Sequence, residues 1–153
     1  MPTKYEGTLE ETRALNAYIK LQRAAESVLT RTTSHLSNYN LTLSQFAILE
    51  ALYHLGTMSQ GVLADKLLKS TGNMSIVLKN IEKRGLVSRT RDPQDNRYVQ
   101  VCITESGANL IERILNQHVG GIVADMGVLT ATEQETLSRL CRKLGLQESA
   151  NGD

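Results

Sequence analysis

The sequence predicts a mainly α protein with one small two-stranded β hairpin, and three observations carry that expectation. Apolar residues recur at helical spacing along most of the chain, and boxes of the form threonine-x-x-glutamine or threonine-x-x-glutamate open several of those stretches. One segment, "SRTRDPQDNRYVQVCIT" (residues 88–104), instead alternates as two strands around a polar tip. The length of 153 residues predicts a single domain, and 41% apolar with 22% charged residues is an ordinary globular composition. No run approaches the ~18 consecutive apolar residues of a membrane span. The N-terminal "MPTKYEGTLEETRAL" has no apolar stretch behind a basic start, so a cytoplasmic location is expected.

Residues 9–38 contain neither proline nor glycine, and Leu15, Tyr18, Ile19, Ala25, Val28, Leu29 and Leu36 fall at helical spacing. Such a helix would be ~45 Å long, more than the diameter of a small domain, so part of it must pack outside its own core. In "LTLSQF", Thr42 and Gln45 form a capping box while Leu41 and Phe46 form a hydrophobic staple; the helix runs to His54 or Leu55 and stops at Gly56. "TMSQ" repeats the box with Thr57 and Gln60 and opens a short helix through Leu63, Ala64, Leu67 and Leu68. "KSTGNMSIVLKNIEKRG" offers Ser70 or Thr71 as the next cap and Gly85 as the stop. Met74, Val77, Leu78 and Ile81 then form its buried stripe, leaving Gly72, Ile76, Lys79 and Lys83 pointing outward, flanked by Asn73, Ser75 and Asn80.

Two strands follow, residues 86–91 and 98–103, joined by a tip rich in turn residues: Asp92, Pro93, Asp95 and Asn96. Thr104 caps a long helix to about Met126, weakened at Gly120 and Gly121 by roughly 1 kcal/mol each, where a bend is expected. Thr130 and Glu133 form a third box and open a last helix ending before Gly145, followed by a tail, "QESANGD", expected to lack order.

Three short helices and then a hairpin is the order of a winged helix-turn-helix, whose third helix enters the DNA major groove. The charge distribution points the same way. Net charge is only +1, yet residues 69–97 carry seven basic residues against three acidic, leaving the rest of the chain at −3. Asn73 and Ser75 suit base-edge or phosphate hydrogen bonds, Ile76 suits a thymine methyl, and Lys79 and Lys83 suit phosphates. On the hairpin, Asp95 lies two residues from Arg97, where a carboxylate can hold a guanidinium ready for the narrow minor groove.

The remaining chemistry is sparse. His35, His54 and His118 lack ligand spacing, Cys102 and Cys141 stand alone, and nothing resembles a nucleophile–base pair; no metal, no cofactor and no enzymatic activity are expected. A winged-helix module that binds protein instead of DNA is the rival reading, separable by the steep salt dependence of duplex binding.

The segments "LTLSQFAILEALYHLG", "LADKLLKSTGNMSIVLKNIEKRGLVSRTRDPQDNRYVQVCITESG" and "LTATEQETLSRLCRKLG" resemble the MarR (multiple-antibiotic-resistance regulator) family of bacterial and archaeal transcriptional regulators. The D-x-R tip and the "IT-x-x-G" junction carry the resemblance most specifically. It implies a homodimer with a helical dimerisation region (9–40 and 104–145) and a winged helix-turn-helix lobe (41–103). The recognition helix would span 70–84, with Ser70, Thr71, Asn73, Ser75, Ile76, Lys79 and Lys83 at the DNA, and the wing 92–97, with Asp95 and Arg97. The expected partner is a pseudo-palindromic double-stranded operator. Repression would be released by a small, phenolic effector, for which His35, Tyr39, Phe46 and Tyr53 are the candidate contacts, or by oxidation of Cys102 or Cys141. The position between Asp95 and Arg97, often basic in the family, is Asn96. Family members that sense peroxides carry a cysteine near the start of the first helix, and here none precedes Cys102.

Overall fold

The computed structural model describes residues 4–95 and 97–147, so Asn96 and the tail from 148 lie outside the described residues. The long first helix, α1, spans Leu9–Thr33 and gives way to a 3-10 segment, Ser34–Tyr39, in place of one helix to residue 38. Asn40 adopts the left-handed conformation (φ 52°), which turns the N–H groups of Asn40 and Leu41 back onto the carbonyls of Ser37 and Leu36. Helix α2, Leu43–Leu55, starts on the expected box: Thr42 Oγ1 accepts from Gln45 N–H while the Gln45 side chain accepts from Thr42 N–H. Leu41 and Phe46 are both buried beside it, and Gly56 ends it at φ +80°.

The next element departs from expectation. Met58–Ser59 is a short strand, β1, and the cap of α3 (Gln60–Lys66) is Ser59, whose hydroxyl accepts from Val62 N–H at 3.3 Å. Thr57 does not cap this helix because Met58 and Ser59 are extended and paired in the sheet. Helix α4, Thr71–Lys83, is capped by Ser70 and followed by Gly85 at φ +70°. Strands β2 (Val87–Arg91) and β3 (Val99–Ile103) form the hairpin, in antiparallel register from Val87↔Ile103 to Arg91↔Val99. The sheet is three-stranded, in the order β1-β3-β2, where the sequence suggested two strands. A two-residue strand is too short to show an alternation.

Helix α5 runs unbroken from Glu105 to Met126 through Gly120 and Gly121. Helix α6, Ala131–Leu146, opens on the Thr130–Glu133 box and passes Gly145 to end at Gln147, which is left-handed at φ 53°.

Packing groups the described residues into two compact units, one within 33–118 and the other formed by 4–32 together with 119–147. In the 33–118 unit, Ile48, Leu49, Leu52, Leu63, Met74, Leu78, Ile81, Val101, Ile111 and Ile114 are almost wholly inaccessible, each worth about 1.5–3 kcal/mol of burial. The stripe read from α4 is therefore the face that meets the core, and this core extends past the hairpin into α5.

The "IT-x-x-G" junction has a mechanical reason within this unit. Thr104 Oγ1 donates to the Gly85 carbonyl at 2.6 Å and accepts from Gly107 N–H at 3.1 Å. A Cβ on Gly107 would lie 2.2 Å from the Leu86 carbonyl oxygen, so only glycine lets α5 start this close to the turn after α4.

In the other unit, Arg31 forms an ion pair with Asp125 through Nε and Nη2, and Gln134 Nε2 donates to the carbonyls of Met126 and Leu129. Helix α6 buries none of its residues; Leu137, Leu140 and Leu144 are 39%, 50% and 53% exposed.

Candidate nucleic-acid interface

Helix α4 presents to solvent the face the sequence assigned. Gly72, Asn73, Ser75, Ile76, Lys79, Asn80 and Lys83 are all exposed, and Ile76 keeps 64% of its surface in water. Ser70 is exposed at the N-terminus, accepting from Asn73 N–H at 3.4 Å; Thr71 opens the helix, and its side chain lies outside the described residues. Ser75 is engaged from the neighbouring helix by Gln60, a residue the sequence analysis took only for part of a cap.

The hairpin tip is built around two aspartates. Asp92 Oδ1 accepts from Gln94 N–H at 2.8 Å and Asp95 N–H at 3.4 Å, while Oδ2 accepts from Gln100 Nε2 at 3.1 Å. That closes the turn. Asp95 then grips Arg97 as a fork: Nε donates to Oδ1 at 2.9 Å, Nη2 donates to Oδ2 at 2.7 Å, and the Arg97 backbone N–H also donates to Oδ1 at 3.0 Å. The guanidinium holds the Asp95 carboxyl below its ordinary range, hydrogen bonding from the Arg97 side chain being the larger cause and from its backbone the next. Arg97 remains 86% exposed, against 31% for Asp95, so the acid is the support and the base is the projecting group.

Not every base of the positive segment projects. Arg84 Nη1 donates to the Asn40 carbonyl at 2.7 Å and Nη2 to that of Tyr39 at 3.3 Å. Arg89 is bound by Glu82 of α4 and is half-buried. Lys79, Lys83 and Arg91 are exposed and form no ion pair among the described residues. The outward charge is therefore concentrated on α4 and the wing tip.

The four effector candidates do not converge as one set. His35 and Phe46 both meet the His118 ring, at centroid distances of 5.3 Å and 4.7 Å. The Tyr39 and Tyr53 hydroxyls are engaged elsewhere on α5, donating to Gln117 Oε1 and Glu112 Oε1, each at 3.1 Å. Glu112 also pushes the Tyr53 hydroxyl pKa upward. Tyr39 lines a separate groove of about 610 Å³ with Arg84, Leu86, Asn109, Leu110 and Arg113. His118, which sequence analysis did not select, is four residues from buried Ile114 and so falls on the inward stripe of α5.

Comparison with known proteins points to one family. The sequence pattern of the MarR family matches residues 41–99, which span the whole helix-turn-helix and the first residue of β3. The HTH-type transcriptional regulator MhqR of Bacillus subtilis is 31% identical over 134 residues, covering 88% of this chain and 92% of MhqR. Among solved structures, a mutant MarR from E. coli complexed with operator DNA superposes with a TM-score of 0.74 at 26% identity, covering 84% of this chain and 96% of that one. The organohalide-sensing regulator RdhR, in its 2,4-dichlorophenol-bound form, shares the fold with a TM-score of 0.80 at 22% identity over 97% of this chain and 90% of that one.

Proposed function

The chain belongs to the MarR family of DNA-binding transcriptional regulators, and on that premise we propose that it is a homodimeric repressor of a pseudo-palindromic operator, released by a small phenolic effector. The observation that carries the DNA-binding reading is the forked Asp95–Arg97 pair at the wing tip. A guanidinium already oriented by a carboxylate loses less freedom on entering a narrow minor groove, where negative potential is strongest. In this reading Ser70, Thr71, Asn73, Ser75 and Ile76 face the major groove, and Lys79 and Lys83 meet phosphates.

Homodimerisation is supported by the apolar surface of the unit containing α1 and α6. Tyr18, Leu137, Leu140 and Leu144 are exposed along an apolar groove of about 420 Å³, and Val123 and Val128 lie open at 65% and 87%. We assign dimerisation to residues 9–40 and 104–145 and DNA binding to 41–103. The effector reading rests on the RdhR likeness in fold and on the His35, Phe46 and His118 ring cluster. Both free thiols, Cys102 and Cys141, are exposed, which keeps oxidation as the second reading of the switch.

The test is fluorescence anisotropy of the purified protein on the DNA upstream of its own coding sequence, across a salt series. Steep loss of affinity with salt, and release on adding chlorinated phenols, is the expected result. Affinity that is flat with salt refutes duplex recognition.

A further inference from the structure

Gln60 and Ser75 are joined across the helix-turn-helix, the Gln60 side-chain nitrogen donating to Ser75 Oγ over 2.7 Å. Gln60 is the first residue of α3, immediately after its cap, while Ser75 lies one turn into α4 on the face that carries Asn73, Ile76 and Lys79. A serine hydroxyl that accepts this bond keeps its own hydrogen free to donate, and the Gln60 carbonyl oxygen stays free to accept. With the amide turned over, Ser75 would donate to Gln60, and the free groups would be an amide N–H and a serine lone pair. Either way the pair sets at least one donor beside one acceptor, with a further amide N–H of Gln60 unused by the mutual bond.

That pattern selects among bases. In the major groove, adenine presents N7 as acceptor beside N6 as donor, guanine presents two acceptors, cytosine a donor, and thymine an acceptor and a methyl group. We propose that Gln60 and Ser75 together read one adenine in each half-site, with Gln60 setting specificity from outside the recognition helix. The mutual bond holds both side chains in register before DNA arrives, so less freedom is lost on binding. Ile76, exposed beside Ser75, supplies the apolar contact for a thymine methyl of the same or the adjoining pair. This inference rests on the reading of the chain as a sequence-specific DNA-binding protein.

The experiment is selection of binding sites from random duplexes by the full-length wild type, Gln60→Ala, Gln60→Glu and Ser75→Ala, followed by affinities on single-base variants of the wild-type site. The wild type is expected to require one A·T pair in each half-site, with about tenfold to hundredfold loss on changing it to G·C. Gln60→Ala should lose discrimination at that position alone, and Gln60→Glu, now an acceptor only, should turn the preference towards cytosine. Replacing that adenine by 7-deazaadenine, which removes the N7 acceptor facing the Ser75 hydroxyl, should weaken the wild type and leave Ser75→Ala unaffected. Gln60→Glu keeps the side-chain length and serves if Gln60→Ala melts early. A Gln60→Ala protein that binds every sequence more weakly by one factor, with a smaller salt slope, would show a phosphate contact and overturn the proposal, as would an unchanged motif in both Gln60 variants. Should the wild type select no motif at all, the reading beneath it fails first and takes this one with it.

Discussion

Arg89 of β2 places two N–H groups on one oxygen of Glu82 in α4, Nη2 at 2.6 Å and Nε at 3.0 Å from Oε2. The wing strand is thus tied to the recognition helix by a charge pair, and Arg89 is not among the bases left for DNA. Hydrogen bonding from the Arg89 side chain holds the Glu82 carboxyl below its ordinary value of 4.5. A carboxyl lowered on folding contributes stability that is complete above its unfolded value and disappears as pH falls through the lower folded value. Glu82→Gln should therefore cost about 0.5–1 kcal/mol at neutral pH. Urea unfolding of wild type and variant should converge as pH drops below the glutamate range; a constant gap would assign the loss to packing instead.

Arg97→Ala should weaken operator binding by a factor that changes with the A·T content beneath the wing. Lys79→Ala or Lys83→Ala should instead weaken all sequences alike and reduce the salt slope by about one per phosphate contact. Asp95→Ala should reproduce part of the Arg97 effect because it frees the guanidinium. Wild-type affinity in Arg97→Ala would remove the wing tip from the interface.

Gly107→Ala should lower stability by about 1–3 kcal/mol, since the added methyl meets a backbone carbonyl that cannot swing aside. For a chain of this length that corresponds to a fall in melting temperature of roughly 2–4 °C per kcal/mol, read by circular dichroism. A melting temperature within a degree of wild type would contradict the close approach.

Leu140→Glu should convert the protein to a monomer by light scattering, since it places a charge in the apolar groove beside Leu137 and Leu144. Loss of two-site attachment should then weaken operator binding by about 10²- to 10⁴-fold. A dimer that survives with full affinity would place the interface elsewhere.

An effector that relieves repression tenfold must favour the non-binding state by about 1.4 kcal/mol, and operator DNA must weaken effector binding by the same factor. Calorimetry with and without saturating operator checks this. Equal affinities would rule out the coupled mechanism for that compound, and loss of DNA binding under oxidant that Cys102→Ser or Cys141→Ser abolishes would establish the thiol route.

What the sequence made legible was local. Helix stops at Gly56 and Gly85, the Thr42 and Thr130 boxes and the stripe of α4 each depend on residues a few positions apart, and each is present. Asp95 with Arg97 was readable for the same reason. Distant partners were not. Arg84 finds the Asn40 carbonyl 44 residues away, and β1 takes its identity from β3, so neither the true outward charge nor the third strand could be counted from composition or periodicity. His35 and Phe46 share a neighbour, His118, that only the path of α5 supplies, and Tyr39 and Tyr53 are claimed by other residues of that helix.

For anyone wishing to transplant this wing, the central position of β3 sets the unit that must travel. A graft of residues 87–103 alone would leave the Met58 and Ser59 side of β3 unpaired, an open edge that invites pairing with a foreign chain. The minimal cassette is the hairpin with residues 58–59. Because Ser59 also caps α3, moving it brings along the start of the helix that holds Gln60. Wing and helix-turn-helix are thus a single exchangeable part, and chimeras cut between them should aggregate where chimeras cut outside both stay soluble.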